Sequence, residues 1–355
     1  MTKPGRSSRG ARARVGVAVI VVSLALMALV VGAFAWNALL RPVAQVAPGR
    51  PVTLTVPAGA GTAAIGALLA REGVVSNPTA FRIQASLSGV DGKLRAGTYE
   101  LVTGTSYGAA IAALVKGPPQ RFVELTIPEG FVVEQIAARL ESELGIPQAE
   151  TLALAKEGAR EFAEEHPYLG DAHEGSLEGY LFPKTYRVPA TATARQVLKM
   201  MLDQFDVEFA AVDTRTATAE GFSTHEIVTM ASIIEREAKL ASERPVVSSV
   251  IRNRLSIGMR LEIDATIEYI LPGNRFRLTY KDLEVDSPYN TYRNGGLPPG
   301  PIASPGLASL EAAASPASTD YLYYVLTGKD GSHTFATNKR DFLKAKERSK
   351  EVFGR

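Results

Sequence analysis

Two carboxylates two residues apart, Glu235 and Glu237 in "MASIIEREAK" (Met230 to Lys239), directly follow a run of apolar and small residues. A carboxyl held against apolar neighbours has its acid form favoured by desolvation, which suits a general acid. Ser223 and Glu226 form an S-x-x-E capping box that marks where the helix beneath them starts. Ile227, Met230, Ala231, Ile234 and Ala238 then recur at the spacing of a buried stripe. At about 100° per residue, Glu235 and Glu237 fall roughly 80° to either side of the Ile227 direction. Side chains so placed cannot serve one site together. Their flanking residues do not choose between them, and the plain alternative is a pair of solvated helix-edge glutamates.

Other stretches offer partners. "SLEGYLFPKTY" (Ser176 to Tyr186) mixes the carboxylate of Glu178 with aromatic rings that could stack on a sugar or simply fill a core. "DSPYNTYRNGGLPPGPIASPG" (Asp286 to Gly306) is too rich in proline and glycine for a helix or central strand. A loop this long in a folded domain is a functional candidate, and Asn290, Thr291 and Tyr292 would give it neutral hydrogen-bonding groups and a ring. "YLYYVLTGKDGSHTF" reads as a hairpin, Tyr321 to Leu326 and Ser332 to Phe335. The histidines, His166, His173, His225 and His333, form no H-E-x-x-H or comparable ligand pair, so neither a metal nor any other cofactor is expected.

The elements that must position these groups begin after an unusual N-terminus. Residues 1–14 carry five basic residues and no acid, and Val15 to Trp36 runs without a charge. As a helix that run would span roughly 33 Å, enough to cross a bilayer with its basic flank in the cytoplasm. Ala33-Phe34-Ala35 also resembles a signal-peptide cleavage site, but the apolar run exceeds the usual length of about 7 to 15 residues. The expectation is a retained single-pass anchor in the cell membrane, with the rest of the chain outside the cytoplasm. The net charge of +2 hides an asymmetry: residues 1–50 hold seven bases and no acid, leaving 32 bases and 37 acids, a net −5, beyond them. Nothing there suggests a nucleic-acid footprint. The absence of cysteine excludes disulfides and thiolate metal sites.

Past a Pro-punctuated linker (37–50), an internal echo pairs Val56, Pro57, Gly59, Ile65 and Leu69 with Ile127, Pro128, Gly130, Ile136 and Leu140. Each copy predicts strand, Pro-x-Gly turn and amphipathic helix, and therefore an α+β fold built of small modules. Gly117, Pro118 and Pro119 suggest a boundary, with one module over 51–119, a second domain over 120–345 and a tail over 346–355.

In order, "ASIIEREA", "RNRLSIGMRLEIDATIEY", "SPYNTYRNGGLPPGPIASPG", "YLYYV" and "GSHTFATN", behind a basic-flanked apolar segment, closely resemble the YceG-like (MltG) endolytic murein transglycosylases. The resemblance implies a LysM-like first module followed by a mixed α+β catalytic domain. It also implies a lyase that cuts peptidoglycan between N-acetylmuramic acid and N-acetylglucosamine, leaves a 1,6-anhydro end, and works beside peptidoglycan synthases on nascent strands. The family's catalytic glutamate, taken as the first acid of its E-x-E motif, falls on Glu235. Glu178, Glu237, Asn290, Thr291, Tyr292, Ser304, His333 and Asn338 are implied to bind substrate along the glycan cleft, the role of Glu237, the second acid of the motif, being left open between support and structure. The chain departs from the family pattern at Lys184, where relatives often carry Asp, and over Glu262 to Thr266. A single acid suffices for such a reaction. The alternatives are a hydrolase pairing Glu235 with Asp264 or Glu178, and a non-catalytic glycan-binding scaffold.

Overall fold

A computed structural model describes residues 20–34, 47–271, 273 and 278–354. Residues 20–34 are helical with exposed apolar side chains, Leu29 and Phe34 among them. No helix among the described residues is long and apolar enough to cross a membrane. The rest of the predicted span 15–36, the basic tail 1–14 and most of the linker lie outside the described residues.

The chain divides into two compact units, Met1–Gln120 and Arg121–Arg355. In the first, strand β1 (Pro51–Val56), helices α1 (Thr62–Arg71) and α2 (Pro78–Leu87), strand β2 (Gly97–Val102) and helix α3 (Tyr107–Lys116) follow one another. β1 and β2 pair antiparallel, Pro51 opposite Val102 and Val56 opposite Gly97. Asn77 starts α2 by accepting the amides of Thr79 and Ala80, with Pro78 at the first helical position. The core joins Leu54, Ile65, Leu69, Phe81, Tyr99 and Leu114. Burying each such side chain is worth about 1.5–3 kcal/mol before entropy is counted.

The second unit opens with strand β3 (Phe122–Thr126), helix α4 (Val133–Leu144) and helix α5 (Gln148–Glu157). Three short 3-10 turns lead to strand β4 (Thr185–Pro189), which pairs antiparallel with β3. The internal echo is structural: Gly59 and Gly130 both take φ +76°, and Ile65, Leu69, Ile136 and Leu140 are all buried. The left-handed turn requires glycine, and it delivers the same helical stripe to each core.

Helices α6 (Ala194–Phe209), α7 (Arg215–Ala219), α8 (Thr224–Glu237), α9 (Arg244–Ser256) and α10 (Asp264–Ile270) come next. After the Pro/Gly loop, helix α11 (Leu307–Ala314) packs on α8. The hairpin β5 (Tyr323–Leu326) and β6 (His333–Ala336) then leads into helix α12 (Lys339–Phe353). α12 continues past residue 345, so the expected division between domain and tail at that point runs through a helix.

α8 is the central element. Its capping box closes as expected, Ser223 Oγ accepting the Glu226 amide at 3.2 Å and Glu226 Oε2 accepting the Ser223 amide at 2.9 Å. From Ile227 to Ile234 every residue is buried, so its C-terminal turn is rigidly placed.

Candidate active site

The last turn of α8 sends its two glutamates into different surroundings. Glu235 Oε1 accepts from the Arg244 guanidinium at 3.0 Å, and its Oε2 accepts from the Gly306 amide at 3.1 Å and Ser309 Oγ at 2.8 Å. Arg244 also reaches Glu129 Oε2 at 3.7 Å. Burial and the neighbouring Glu235 charge raise the Glu129 pKa, against Arg244. The side chains of Glu235 and Arg244 are 7% and 12% exposed. Both carboxylate oxygens of Glu235 are thus occupied by donors that tie α8 to the start of α9 and to α11, and Arg244 carries the link on to Glu129 in the β3–α4 turn.

Glu237 turns the other way. Its Oε2 accepts the Tyr324 hydroxyl at 2.9 Å. Burial pushes its pKa up; the Tyr324 hydrogen bond opposes this, Asp264 reinforces it, and His333 and the Ala265 amide act against it. The Tyr324 phenol is itself held well above its ordinary pKa, by burial first and by Glu237 next, so it remains a donor. Tyr292 donates to Asp264 Oδ1 at 2.5 Å. His333 meets the Tyr324 ring edge-on at a centroid distance of 5.5 Å. Carboxyl, phenols, imidazole and a second carboxylate therefore gather from α8, α10, the Pro/Gly loop, β5 and β6.

Arg254 on α9 fastens two of these contributors. Its Nε donates to Leu322 O at 2.6 Å, its terminal nitrogen to Leu261 O at 2.6 Å, and its guanidinium covers Tyr323 at 5.2 Å. The hairpin and the segment leading to α10 are thereby held on one helix.

The remaining expected cleft residues divide. Asn290 is fully buried, giving Nδ2 to Leu283 O and Val285 O while Oδ1 accepts the Tyr292 amide. Thr291 is 2% exposed and bonds Thr266 and Ile263. Both brace the loop from inside and position Tyr292, which is the ring that reaches the carboxyl cluster; the expectation that all three line a cleft is corrected accordingly. Ser304 is also fully buried, and its backbone pairs with Phe131 and Gly130. Asn338 caps α12 by accepting the Asp341 amide, a structural task on an exposed surface.

Glu178 is 2% exposed, with Oε2 accepting the Val133 amide at 3.1 Å and Oε1 buried without a partner. Burial raises its pKa to about 8. It is a buried acid at the start of α4, so it does not face a cleft directly.

Sequence reasoning missed Tyr324, Arg244 and Glu243. Tyr324 had a signal: in the alternating strand "YLYYV" one of the tyrosines must face inward, and a buried hydroxyl needs a partner. Arg244 and Glu243 had none, because their partners lie nine and ninety residues away. Among the described residues no group of acidic or histidine side chains is arranged to hold a metal ion.

The second, α+β unit thus presents a half-buried carboxyl among phenols and an imidazole, the groups that acid/base chemistry uses. The sequence profile of the YceG-like family matches residues 54–348, and the chain belongs to that family. It is 34% identical over 327 residues to the endolytic murein transglycosylase of Bacillus subtilis, covering 89% of this chain and 90% of that one. It is 31% identical to the endolytic murein transglycosylase of Streptococcus pneumoniae, covering 82% of this chain and 57% of that one. The crystal structure of a yceG-like protein from Listeria monocytogenes superposes with a TM-score of 0.58 at 34% identity, covering 83% of this chain and 99% of that one.

Proposed function

We propose that the chain is a membrane-anchored endolytic peptidoglycan lytic transglycosylase whose acid is Glu237. Family membership and the names of its relatives support the activity. The observation that carries the residue assignment is the contrast between the two glutamates. Glu235 is saturated by three donors, whereas Glu237 has a pKa raised by burial and partners suited to its ionised form.

In this reading the protonated Glu237 gives its proton to the oxygen between N-acetylmuramic acid and N-acetylglucosamine as that bond breaks, and positive charge develops on the muramoyl ring. The carboxylate left behind is steadied by the Tyr324 hydroxyl and the Ala265 amide. The muramoyl C6 hydroxyl closes on C1 and releases its proton to a base in the cleft. No water is consumed, and the product carries a 1,6-anhydro end. Tyr292, oriented by Asn290 and bonded to Asp264, offers a ring to the glycan. The apolar, basic-flanked N-terminus would hold the enzyme at the outer face of the cell membrane, and the LysM-like order of the first unit would add a glycan grip. Beside peptidoglycan synthases it would terminate nascent strands.

The full-length chain in detergent, compared with Glu237→Gln and Glu235→Gln, should be incubated with glycan strands and the products weighed. Anhydro ends, one water lighter than reducing ends, are expected from wild type and from Glu235→Gln, and none from Glu237→Gln. Reducing ends alone would make the enzyme a hydrolase. Loss confined to Glu235→Gln would return the acid to residue 235, and inert wild type would leave a binding scaffold.

A further inference from the structure

His333 is held by a carboxylate that no step above uses. Glu243, in the turn before α9, accepts the His333 amide on Oε1 at 2.9 Å and faces His333 Nδ1 with Oε2 at 2.7 Å. The pair is nearly closed off, 8% of the His333 side chain and 13% of the Glu243 side chain being exposed. A carboxylate can only accept, so Nδ1 must carry the hydrogen. In the neutral ring Nε2 is then the bare acceptor, and among the described residues no protein group bonds to it. The two contacts fix both the start of β6 and the rotation of the ring, whose edge lies against Tyr324 while the Tyr324 hydroxyl holds Glu237.

We propose that Glu243 and His333 form a carboxylate-backed imidazole whose Nε2 is the second proton-handling atom of the cleft, receiving the proton of the closing sugar hydroxyl. This rests on the reading of Glu237 as the acid and divides its labour. Glu237 gives one proton to the departing oxygen and becomes a carboxylate. As the C6 oxygen bonds to C1, its proton passes to Nε2, and the imidazolium forms between the Glu243 and Glu237 carboxylates. Transfer of that proton to Glu237 restores both groups, so the cycle balances without water as reactant. His333 would be a catalytic residue and Glu243 a positioning residue that sets its tautomer.

The charged and titratable groups around the ring are Glu243 before α9, Glu237 at the end of α8 with Asp264 beyond it, and Tyr324 on β5. Lys239 lies against Gly331 in the hairpin turn, where Asp330 bonds Ser332.

The test uses the full-length chain and a glycan-cleavage assay across pH. His333→Asn keeps an amide near the Nδ1 position, able to donate to Glu243, and removes Nε2. It should lower kcat about 100-fold, the scale of a lost general base, with KM unchanged and partial rescue by added imidazole. Glu243→Gln presents an amide N–H to Nδ1 and inverts the tautomer, so kcat should fall about tenfold or more. Nitrogen NMR of 15N-histidine enzyme gives a reading independent of any variant: the neutral ring of His333 should carry its hydrogen on Nδ1, toward Glu243. A neutral ring with its hydrogen on Nε2, a His333→Asn kcat within twofold of wild type, or a loss expressed only in KM would each overturn the proposal. If Glu237→Gln stays active while the His333 effects hold, the acid assignment fails and the dyad stands.

Discussion

Arg244 donates to Glu235 across 3.0 Å at the junction of α8 and α9, in a pair that is almost wholly buried. Removing one partner leaves the other charge unpaired, which costs about 3–5 kcal/mol in such settings. Arg244→Met should therefore lower the unfolding free energy of the second unit by that order, and Glu235→Gln by less, since Gln can still accept from Gly306 or Ser309. Denaturant titration checks both. An Arg244→Met midpoint equal to wild type would mean the pair stabilises nothing.

Glu178 predicts how stability varies with pH. Its folded pKa, about 8, lies above that of an unfolded glutamate. The folded state therefore binds the extra proton, and this contribution is complete below the unfolded pKa and fades as pH rises through about 8. Glu178→Gln should flatten the fall in melting temperature between pH 5 and 8. A variant whose fall is as steep as wild type would remove Glu178 as the cause.

Gly179 sits at φ +84°, and a Cβ there would run into the Pro301 ring and approach Val228 to 3.1 Å. Strain and overlap each cost on the order of 1–3 kcal/mol. Gly179→Ala should destabilise the second unit and shift the Pro/Gly loop, lowering glycan cleavage as well as melting temperature. Gly170→Ala, where nothing lies within 4 Å of the added carbon, is the matched control and should leave activity near wild type.

Tyr324→Phe removes the hydroxyl that accompanies Glu237 and retains the ring against His333. The Glu237 pKa is lowered by that hydrogen bond, so its loss should move the limb of the pH–rate profile that reports this acid toward higher pH. An unmoved limb would place the rate-determining ionisation on another group.

The local grammar of the fold was legible because its signals lie close in sequence. The α8 capping box, the two Pro-x-Gly turns and the hairpin are each written within a few residues, and each formed where expected. The carboxyl pair was legible as a pair, and helical geometry correctly placed its members on different flanks. Which flank faced the phenols was not, because that depends on Tyr324, Asp264 and His333 arriving from elements far along the chain, Tyr324 lying 87 residues from Glu237. Asn290 and Thr291 misled for a related reason: the same polar groups can bind a sugar or staple a loop, and only burial separates the two.

β3 finds its partner in β4, across the whole stretch from Thr126 to Thr185. The ends of a long intervening segment must be brought together before that ladder can repay the closure entropy. During synthesis the nascent chain carries β3 as an unmated ribbon until residue 189 emerges. In this respect the sheet that frames α4 and α5 can be completed only after both helices have left the ribosome.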